Sequence, residues 1–477
     1  MTALKLPAPP EGARPSRSSR GARLQSLTLE LKTVTPILGG GPVTRRLPEV
    51  DIIRVPTLRG HLRFWWRALY GHAFTAEGEP GRQELARRER ELWGGMGQGG
   101  EGARRSQVEL RVFGIDNAQG DPLNVELGDP RSYALWPARK TQTQDVAPRW
   151  KPGLRFCLEL LAPEGDAFQQ ACQALRAWLL FGGYGSRTRR GCGSVVLVSP
   201  EKCREWLPGS AARDELRRLF VGVPLLESGQ AGPPCDLPLL RGARLYRSGV
   251  SESNPDGAWQ KALGWLREFR QGTSVSGQRS RESLPARNPG EGKRAGRSNW
   301  PEADKIRHHA RARGGPARGP AFPSEHAPRP QHTREPAWPR AGFGLPIVFH
   351  FQQEVRKKKP DAPRQNYTPA EPEGVELQWE DASRERHDRL ASPLIVKALP
   401  LADGRFEPIA LWFERGYPED GGVVMVQGGR TVPGTRADFD VLSAREDAPL
   451  FWPLRRERGL RDAFFGWLKD TGKAREA

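Results

Sequence analysis

Leu27 to Val34 reads LTLELKTV, with leucine at 27, 29 and 31 and polar residues between, the alternation of a strand with one buried face. Gln107 to Phe113 (QVELRVF) and Leu154 to Leu161 (LRFCLELL) alternate in the same way, and Ser194 to Val198 (SVVLV) is a short fourth strand. Between the first two strands, PTLRGHLRFWWRALYG (Pro56 to Gly71) has helical spacing. Leu58, Leu62, Trp66 and Leu69 share one face, Thr57 is placed to cap the helix, and Gly71 to end it. Arg59, Arg63 and Arg67 form a stripe one residue further round, where the stems pack at the edge of the buried face and the guanidinium groups reach outward. Phe168, Cys172, Leu175 and Trp178 mark a second amphipathic helix. The order is β-α-β-β-α-β, the ferredoxin-like pattern that RNA-recognition modules share. The connections Ala73 to Ser106 and Gly114 to Gly153 read as long loops.

Further along, Gln271 to Arg340 carries fourteen Lys+Arg against six Asp+Glu and few aliphatic residues. Such a stretch cannot by itself bury enough apolar area to offset its ordering entropy, and it reads as a basic, partly disordered insertion. Order resumes at Phe343 to Phe351 (FGLPIVFHF), continues through Leu394 to Leu399 and Phe406 to Phe413, and ends in an amphipathic helix near Leu460 to Leu468. The expected architecture is α+β with two ferredoxin-like (RRM-like, βαββαβ) domains, the second smaller and degenerate. Its parts are a basic disordered tail over 1–23, a first domain over 24–205, the start of the second unit over 206–270, the insertion over 271–342, and the remainder of the second domain over 343–477.

Charge adds a partner to this outline. The chain has 75 Lys+Arg against 56 Asp+Glu, a formal charge of +19 and a pI near 10.2. A polyanion fits that balance, although an arginine-rich proteome would produce it without one. No run approaches the roughly 20 apolar residues of a membrane span, and no apolar N-terminal stretch reads as a signal peptide, so a cytoplasmic protein without a membrane partner is expected. Cys157, Cys172, Cys192, Cys203 and Cys235 are odd in number and lack CxxC spacing, which argues against a disulfide framework or a structural zinc site. No cofactor or metal is expected.

The second helix runs into FGGYGSRTRRGCGSV (Phe181 to Val195), with glycines at 182, 183, 185, 191 and 193 and arginines at 187, 189 and 190. A nucleotide cradle needs strand, loop, helix; here the order is helix, loop, strand, and no GxxxxGK[ST] occurs in the loop. Two readings remain: a loop whose glycines admit close backbone approach and whose arginines hold an extended polyanion, or a mobile surface loop.

These residues resemble the glycine-rich loop of the RAMP superfamily of CRISPR-associated RNA-binding proteins. TPILGGG (Thr35 to Gly41), followed by IIRVPTLRGHLRFWWRAL, resembles the N-terminal signature of the Cmr1-type subunit of type III-B CRISPR effector (Cmr) complexes. GRSNWPEADKIR (Gly296 to Arg307), AGFGLPIVFHF and RLASPLIVKAL (Arg389 to Leu399) resemble further segments of that family. The resemblance implies a non-catalytic subunit at the effector end that holds the 3′ part of the guide RNA, with guide RNA, target RNA and other Cmr subunits as partners. It implies RNA contacts at Arg54, Arg59, Arg63 and Arg67, and at Gly182, Gly183, Gly185, Arg187, Arg189, Arg190, Gly191 and Gly193. Arg297 and Trp300 are weaker candidates; Trp300 would stack on an unpaired base or pack against a neighbouring domain.

Two rivals stand beside this. One is a guide-processing endoribonuclease of the same superfamily, in which His61, among the stripe arginines, would be the acid-base residue, although a histidine on a helix beside Trp65 is more often structural. The other is a general RNA-binding assembly protein outside CRISPR. His308 and His309 fall in the segment read as flexible, His387-Asp388 is a bare HD dipeptide, and Asp51 receives no role. On this reading, replacing Arg187, Arg189 and Arg190 with alanine weakens RNA binding and flattens its salt dependence while thermal unfolding stays nearly unchanged.

Overall fold

The computed structural model describes residues 23–272, 300–310, 328–349, 372–448 and 451–477, apart from 77, 98–101, 126–128, 142, 228–235, 329, 373, 388 and 419. The first half runs β1 (Leu24–Thr33), α1 (Val55–Tyr70), α2 (Gly78–Trp93), β2 (Glu109–Asp116), β3 (Gly120–Asp121), α3 (Ser132–Leu135), β4 (Arg149–Trp150), β5 (Arg155–Pro163), α4 (Asp166–Phe181) and β6 (Val195–Leu197). Its main sheet has the order β2-β5-β1-β6 with every neighbouring pair antiparallel. Register sets Leu29 opposite Leu158 and Leu31 opposite Phe156, so the buried positions of the alternating pattern form one apolar face under α1 and α4. α1 begins two residues before Thr57, at Val55, with Pro56 in its first turn, where the lost N–H costs nothing. The stretch read as a loop between Ala73 and Ser106 contains α2; its charged face masks Leu85 and Leu92, a period of seven that buries one stripe.

After α5 (Pro200–Trp206) and α6 (Arg213–Arg218) the second half begins with β7 (Leu239–Arg247) and α7 (Pro255–Arg270). It continues with α8 (Glu302–His309), β8 (Ile347–Phe349), β9 (Val375–Glu380), β10 (Arg386–His387), β11 (Leu394–Pro400), β12 (Phe406–Glu414), β13 (Gly422–Gln427), β14 (Arg430–Thr431), α9 (Pro453–Arg456), α10 (Leu460–Asp470) and β15 (Arg475–Glu476). Its main sheet has the order β11-β12-β7-β15. Taking these as second, third, first and fourth strands, the arrangement repeats that of the first half, with α7 and α10 as its two helices. The connection into the last strand differs: residues 182–194 in the first half, only 471–474 in the second.

Two insertions interrupt the second half, one between α7 and β11 and one between β12 and α10. Because β11 and β12 are antiparallel, both insertions leave from the same end of the sheet, and there their strands combine into a third sheet, β10-β9-β13-β14 with β8 also on β9. Part of the segment read as a disordered insertion is thereby ordered. α8 is buried, with Lys305 and Asp447 paired at 2.6 Å out of reach of solvent, and Glu302 accepting from the Arg340 backbone N–H at 2.7 Å. His308 and His309 end this helix on the carbonyls of His332 and Arg334. Paired buried charge substitutes here for the apolar area that the composition lacks.

Side chains alternate across β11 and β12. Ile395, Leu399, Ile409, Leu411 and Phe413 join the core beneath α1 and α4. Val396, Ala398, Ala410 and Trp412 join the core beneath α7 and α10. The result is four layers, sheet, helices, sheet, helices, in which the second sheet is buried on both faces. Fully burying each such aliphatic side chain contributes about 1.5–3 kcal/mol.

One position on β11 is not apolar. Lys397 is fully buried and its Nζ donates to the Gly182 carbonyl at 2.8 Å and the Leu179 carbonyl at 3.3 Å. These belong to the last turn and cap of α4, where carbonyls lack helical partners and the helix dipole favours a cation. Burial pushes the Lys397 pKa down to about 7. With the folded value below the unfolded one, the unfolded chain holds the extra proton between about pH 7 and pH 10; the penalty is complete below pH 7 and is relieved as pH rises. Lys397→Met is therefore expected to gain most against the parent protein at pH 6.5. Urea unfolding should show that difference falling by an amount on the order of 2–4 kcal/mol by pH 9.5; a pH-independent difference would refute the shift.

Candidate nucleic-acid interface

The glycine-rich loop starts where α4 stops: Gly182 N–H donates back to the Trp178 carbonyl at 2.8 Å. It then folds on itself, with Tyr184 N–H to the Gly193 carbonyl at 2.8 Å. Gly193 has a φ of 64°, and a Cβ there would lie 1.9 Å from the Tyr184 carbonyl oxygen. A Cβ on Gly183 would lie 2.7 Å from the Cys192 carbonyl oxygen. The loop is pinned to the TPILGGG segment by Ser186 N–H to Leu38 O at 2.6 Å, Gly193 N–H to Pro36 O at 2.8 Å and Thr35 Oγ1 to Gly191 O at 2.6 Å. Gly182, Gly185 and Gly191 are hemmed in likewise, by Trp178, Leu38 and Trp259. The close approach that these glycines permit is protein against protein, which corrects the expectation that they make room for a ligand backbone.

Tyr184 carries this order to α1. Its hydroxyl accepts the Arg54 N–H at 2.9 Å, at the residue preceding the helix. The Arg54 side chain pairs with Asp51 at 3.2 Å.

The arginine stripe on α1 lies half-buried against α2 and the start of β2. Arg63 and Arg67 converge on the buried carboxylate of Glu89 on α2, at 2.5 and 3.0 Å, and Arg59 donates to the Val108 carbonyl at 3.1 Å. In the loop, Arg190 is buried and donates to the Leu394 carbonyl at 2.9 Å, while Arg189 donates to the Ser392 carbonyl. Trp259 of α7 returns a bond to the Arg190 carbonyl at 2.6 Å. Burial lowers the pKa of both arginines, to about 9 for Arg190 and about 10 for Arg189, with neighbouring cations adding to it. Both remain charged near neutrality, and both hold the start of β11 against the first half. Of the seven arginines in the two motifs, Arg187 alone has no side-chain hydrogen bond or ion pair among the described residues; its carbonyl accepts the Arg190 N–H at 2.8 Å. It is exposed, lies near Arg190, Arg270 and Tyr133, and adopts the left-handed conformation at φ 61°, ψ 23°. That conformation costs a non-glycine residue roughly 1 kcal/mol.

Trp300 belongs to the core. It is fully buried, its Nε1 donates to the Phe269 carbonyl at 3.3 Å, and its ring lies 5.3 Å from Phe451; it offers no open face to a base. Arg297 lies outside the described residues. His61 is half-buried and edge-on to Tyr184 at 5.9 Å. Its Nδ1 has no hydrogen-bond partner, and burial pushes its pKa down to about 4. Such an imidazole is neutral near pH 7, the form of a base rather than of an acid, and has no carboxylate to orient it. His387 stacks on Trp379 at 4.2 Å and meets Asp381 at 2.9 Å; Asp388 lies outside the described residues. Among the described residues no group of three or more His, Cys, Asp or Glu is placed to hold a metal ion, and no helix is long and apolar enough to cross a membrane.

Residues 30–196 match the RAMP superfamily. That stretch contains both interlocked glycine segments and α1. A curated relative, the CRISPR system Cmr subunit Cmr1-1 of Pyrococcus furiosus, is 29% identical over 159 residues, 33% of this chain. Over this stretch the chain is similar to the RAMP superfamily and to a Cmr1 subunit. The matched stretch spans 43% of that relative's length. The crystal structure of apo Cmr1 from Pyrococcus furiosus superposes with a TM-score of 0.42 at 15% identity, covering 83% of this chain and 90% of that one. A chain of the type III-B Cmr-beta complex bound to cognate target RNA superposes with a TM-score of 0.38 at 12% identity, covering 83% and 97%.

The RAMP loop thus contains two arginines that join the halves and one that does not, and the three are not equivalent in stability. Arg190→Ala is expected to lower the unfolding free energy by about 1–3 kcal/mol, because buried carbonyls lose their donor. Arg187→Ala should change it little. Urea denaturation of the two variants checks this, and equal midpoints would contradict the joint. The triple replacement cannot leave unfolding unchanged.

Proposed function

We propose that this chain is a non-catalytic RNA-binding subunit of a type III-B CRISPR effector, working in the cytoplasm with guide RNA, target RNA and other Cmr subunits. On this reading the two halves are tandem ferredoxin-like units, and the chain caps the effector end that holds the 3′ part of the guide RNA. The observation that carries the reading is the RAMP match over residues 30–196, in which the loop keeps one exposed, unpaired cation, Arg187. The relative is named as a Cmr subunit, and the formal charge of +19 suits a polyanion. Contact through phosphates also fits a complex in which base pairing between guide and target supplies the sequence. A cutting role has less support, since no hydrogen-bond partner at Nδ1 orients His61.

The mechanism is electrostatic. Arg187 is presented on a loop that cannot yield, because its glycines are packed and its neighbouring arginines are bonded to the second half. Arg187→Gly tests this cleanly, since glycine adopts the left-handed conformation without strain. The expected outcome is weaker binding of labelled single-stranded RNA by fluorescence anisotropy, a salt slope shallower by about 1, and a melting temperature equal to or above that of the parent. An unchanged slope and affinity would remove the loop from the RNA path. RNA shortened by repeated preparations, and spared by His61→Ala, would instead favour an endoribonuclease.

A further inference from the structure

The chain has fifteen tryptophans, and Trp452 is the only exposed one, with 59% of its surface accessible. It stands immediately before α9, and the α9 residues Leu454 and Arg455 line a cavity of about 480 Å³ together with Asp440, Ser443, Glu457 and Arg458. The walls of this cavity are fixed. On one side Asp447 holds the 440–447 loop through Lys305 at 2.6 Å and the Ala444 N–H at 3.1 Å, and Asp440 accepts the Leu460 N–H at the start of α10 at 2.7 Å. On the other side Arg456 anchors the α9 turn to Glu457 at 3.3 Å and to Asp470.

Two cations here are uncommitted. Arg455 makes no ion pair among the described residues and places its guanidinium 5.6 Å from the Trp452 ring centroid. Arg458, exposed and lining the cavity, makes no hydrogen bond or ion pair among them. Apolar company is missing: among the described residues from 372 to 477, Trp452 is the only exposed large hydrophobic side chain. A protein-docking face would surround an exposed tryptophan with apolar contacts. An exposed flat aromatic with the Arg455 guanidinium beside its ring, next to a cavity that Arg455 and Arg458 both line, has the features of a site for an unpaired nucleotide, with a π-face for the base and forked donors for phosphate.

We propose that Trp452, Arg455 and Arg458 form a second contact for single-stranded RNA, in which an unpaired base stacks on Trp452 and the flanking phosphates pair with the two arginines. This rests on the RNA-binding reading above but uses none of the residues of the glycine-rich loop. The test uses the full chain and short RNA containing 4-thiouridine, with photocrosslinks mapped by mass spectrometry and affinities taken from anisotropy. Crosslinks are expected on the peptide spanning 452–458. Trp452→Ala should weaken binding by roughly fivefold to a hundredfold, the range of base–aromatic stacking. Trp452→Phe should retain most of the affinity, and Arg455→Ala with Arg458→Ala should lower the salt slope by about 2.

The outcomes separate the two sites. Parent-like affinity of Trp452→Ala beside weakened Arg187→Gly overturns this contact and leaves the loop reading intact. The reverse pattern supports this contact and removes the loop. A parent chain that binds no RNA overturns both. If Trp452→Ala binds RNA normally but fails to join the other effector subunits, the surface is a protein-docking face and the RNA contact is refuted.

Discussion

Lys397 reaches from the middle of one buried sheet to the last carbonyls of a helix in the other half of the molecule, and around that bond the chain is joined. Its ammonium meets Gly182 and Leu179 at the point where α4 gives way to the glycine-rich loop. Arg190 answers in the opposite direction, from the loop to Leu394 on the same strand, and Trp259 bonds the Arg190 carbonyl from the far side of the sheet. The joint is polar because helix ends and loops expose backbone groups that must be satisfied wherever they are buried. Apolar packing on both faces of β11 and β12 supplies the attraction, and these few donors set where the halves meet.

This joint explains how the charge is distributed. A count of arginines suggests a broad basic surface, yet Arg59, Arg63 and Arg67 are taken up by α2 and the start of β2, and Arg189 and Arg190 by β11. Six of the seven arginines in the two motifs are therefore committed within the protein. Arg187 is the motif arginine whose side chain stays exposed and unpaired among the described residues, and Arg455 and Arg458 of the second half are likewise exposed without an ion pair. A few unpaired guanidinium groups on rigid supports suit contact with a backbone at set positions better than a diffuse basic coat does.

The strands and the two principal helices of the first half were legible because each has one buried face and so a clear period. β11 and β12 were legible for the opposite reason, being mostly apolar, with Lys397 and Glu407 as the charged exceptions inside them. The roles of side chains were not. A glycine required by another loop reads the same as a glycine required by a ligand; only the 1.9 Å clash at Gly193 separates the two. An arginine on the edge of an amphipathic helix reads as solvent-facing until a partner such as Glu89 is known, and that partner sits in α2, which its own charge concealed. α8 escaped notice because its stability rests on buried ion pairs such as Lys305 with Asp447, which composition counts as solubility. Trp452 could have been found only by elimination, since in sequence it is one tryptophan among fifteen.

The unequal connections before the last strands give the molecule a direction. The first half inserts its long loop into the second and lays its helices on the second half's sheet, but residues 471–474 are too few for the second half to do the same to a successor. At the other end the sheet of the first half keeps its outer face, with Thr28, Glu30 and Arg155, open to solvent. The interlock therefore runs one way: the first half offers the loop and the helix end, and the second half receives them.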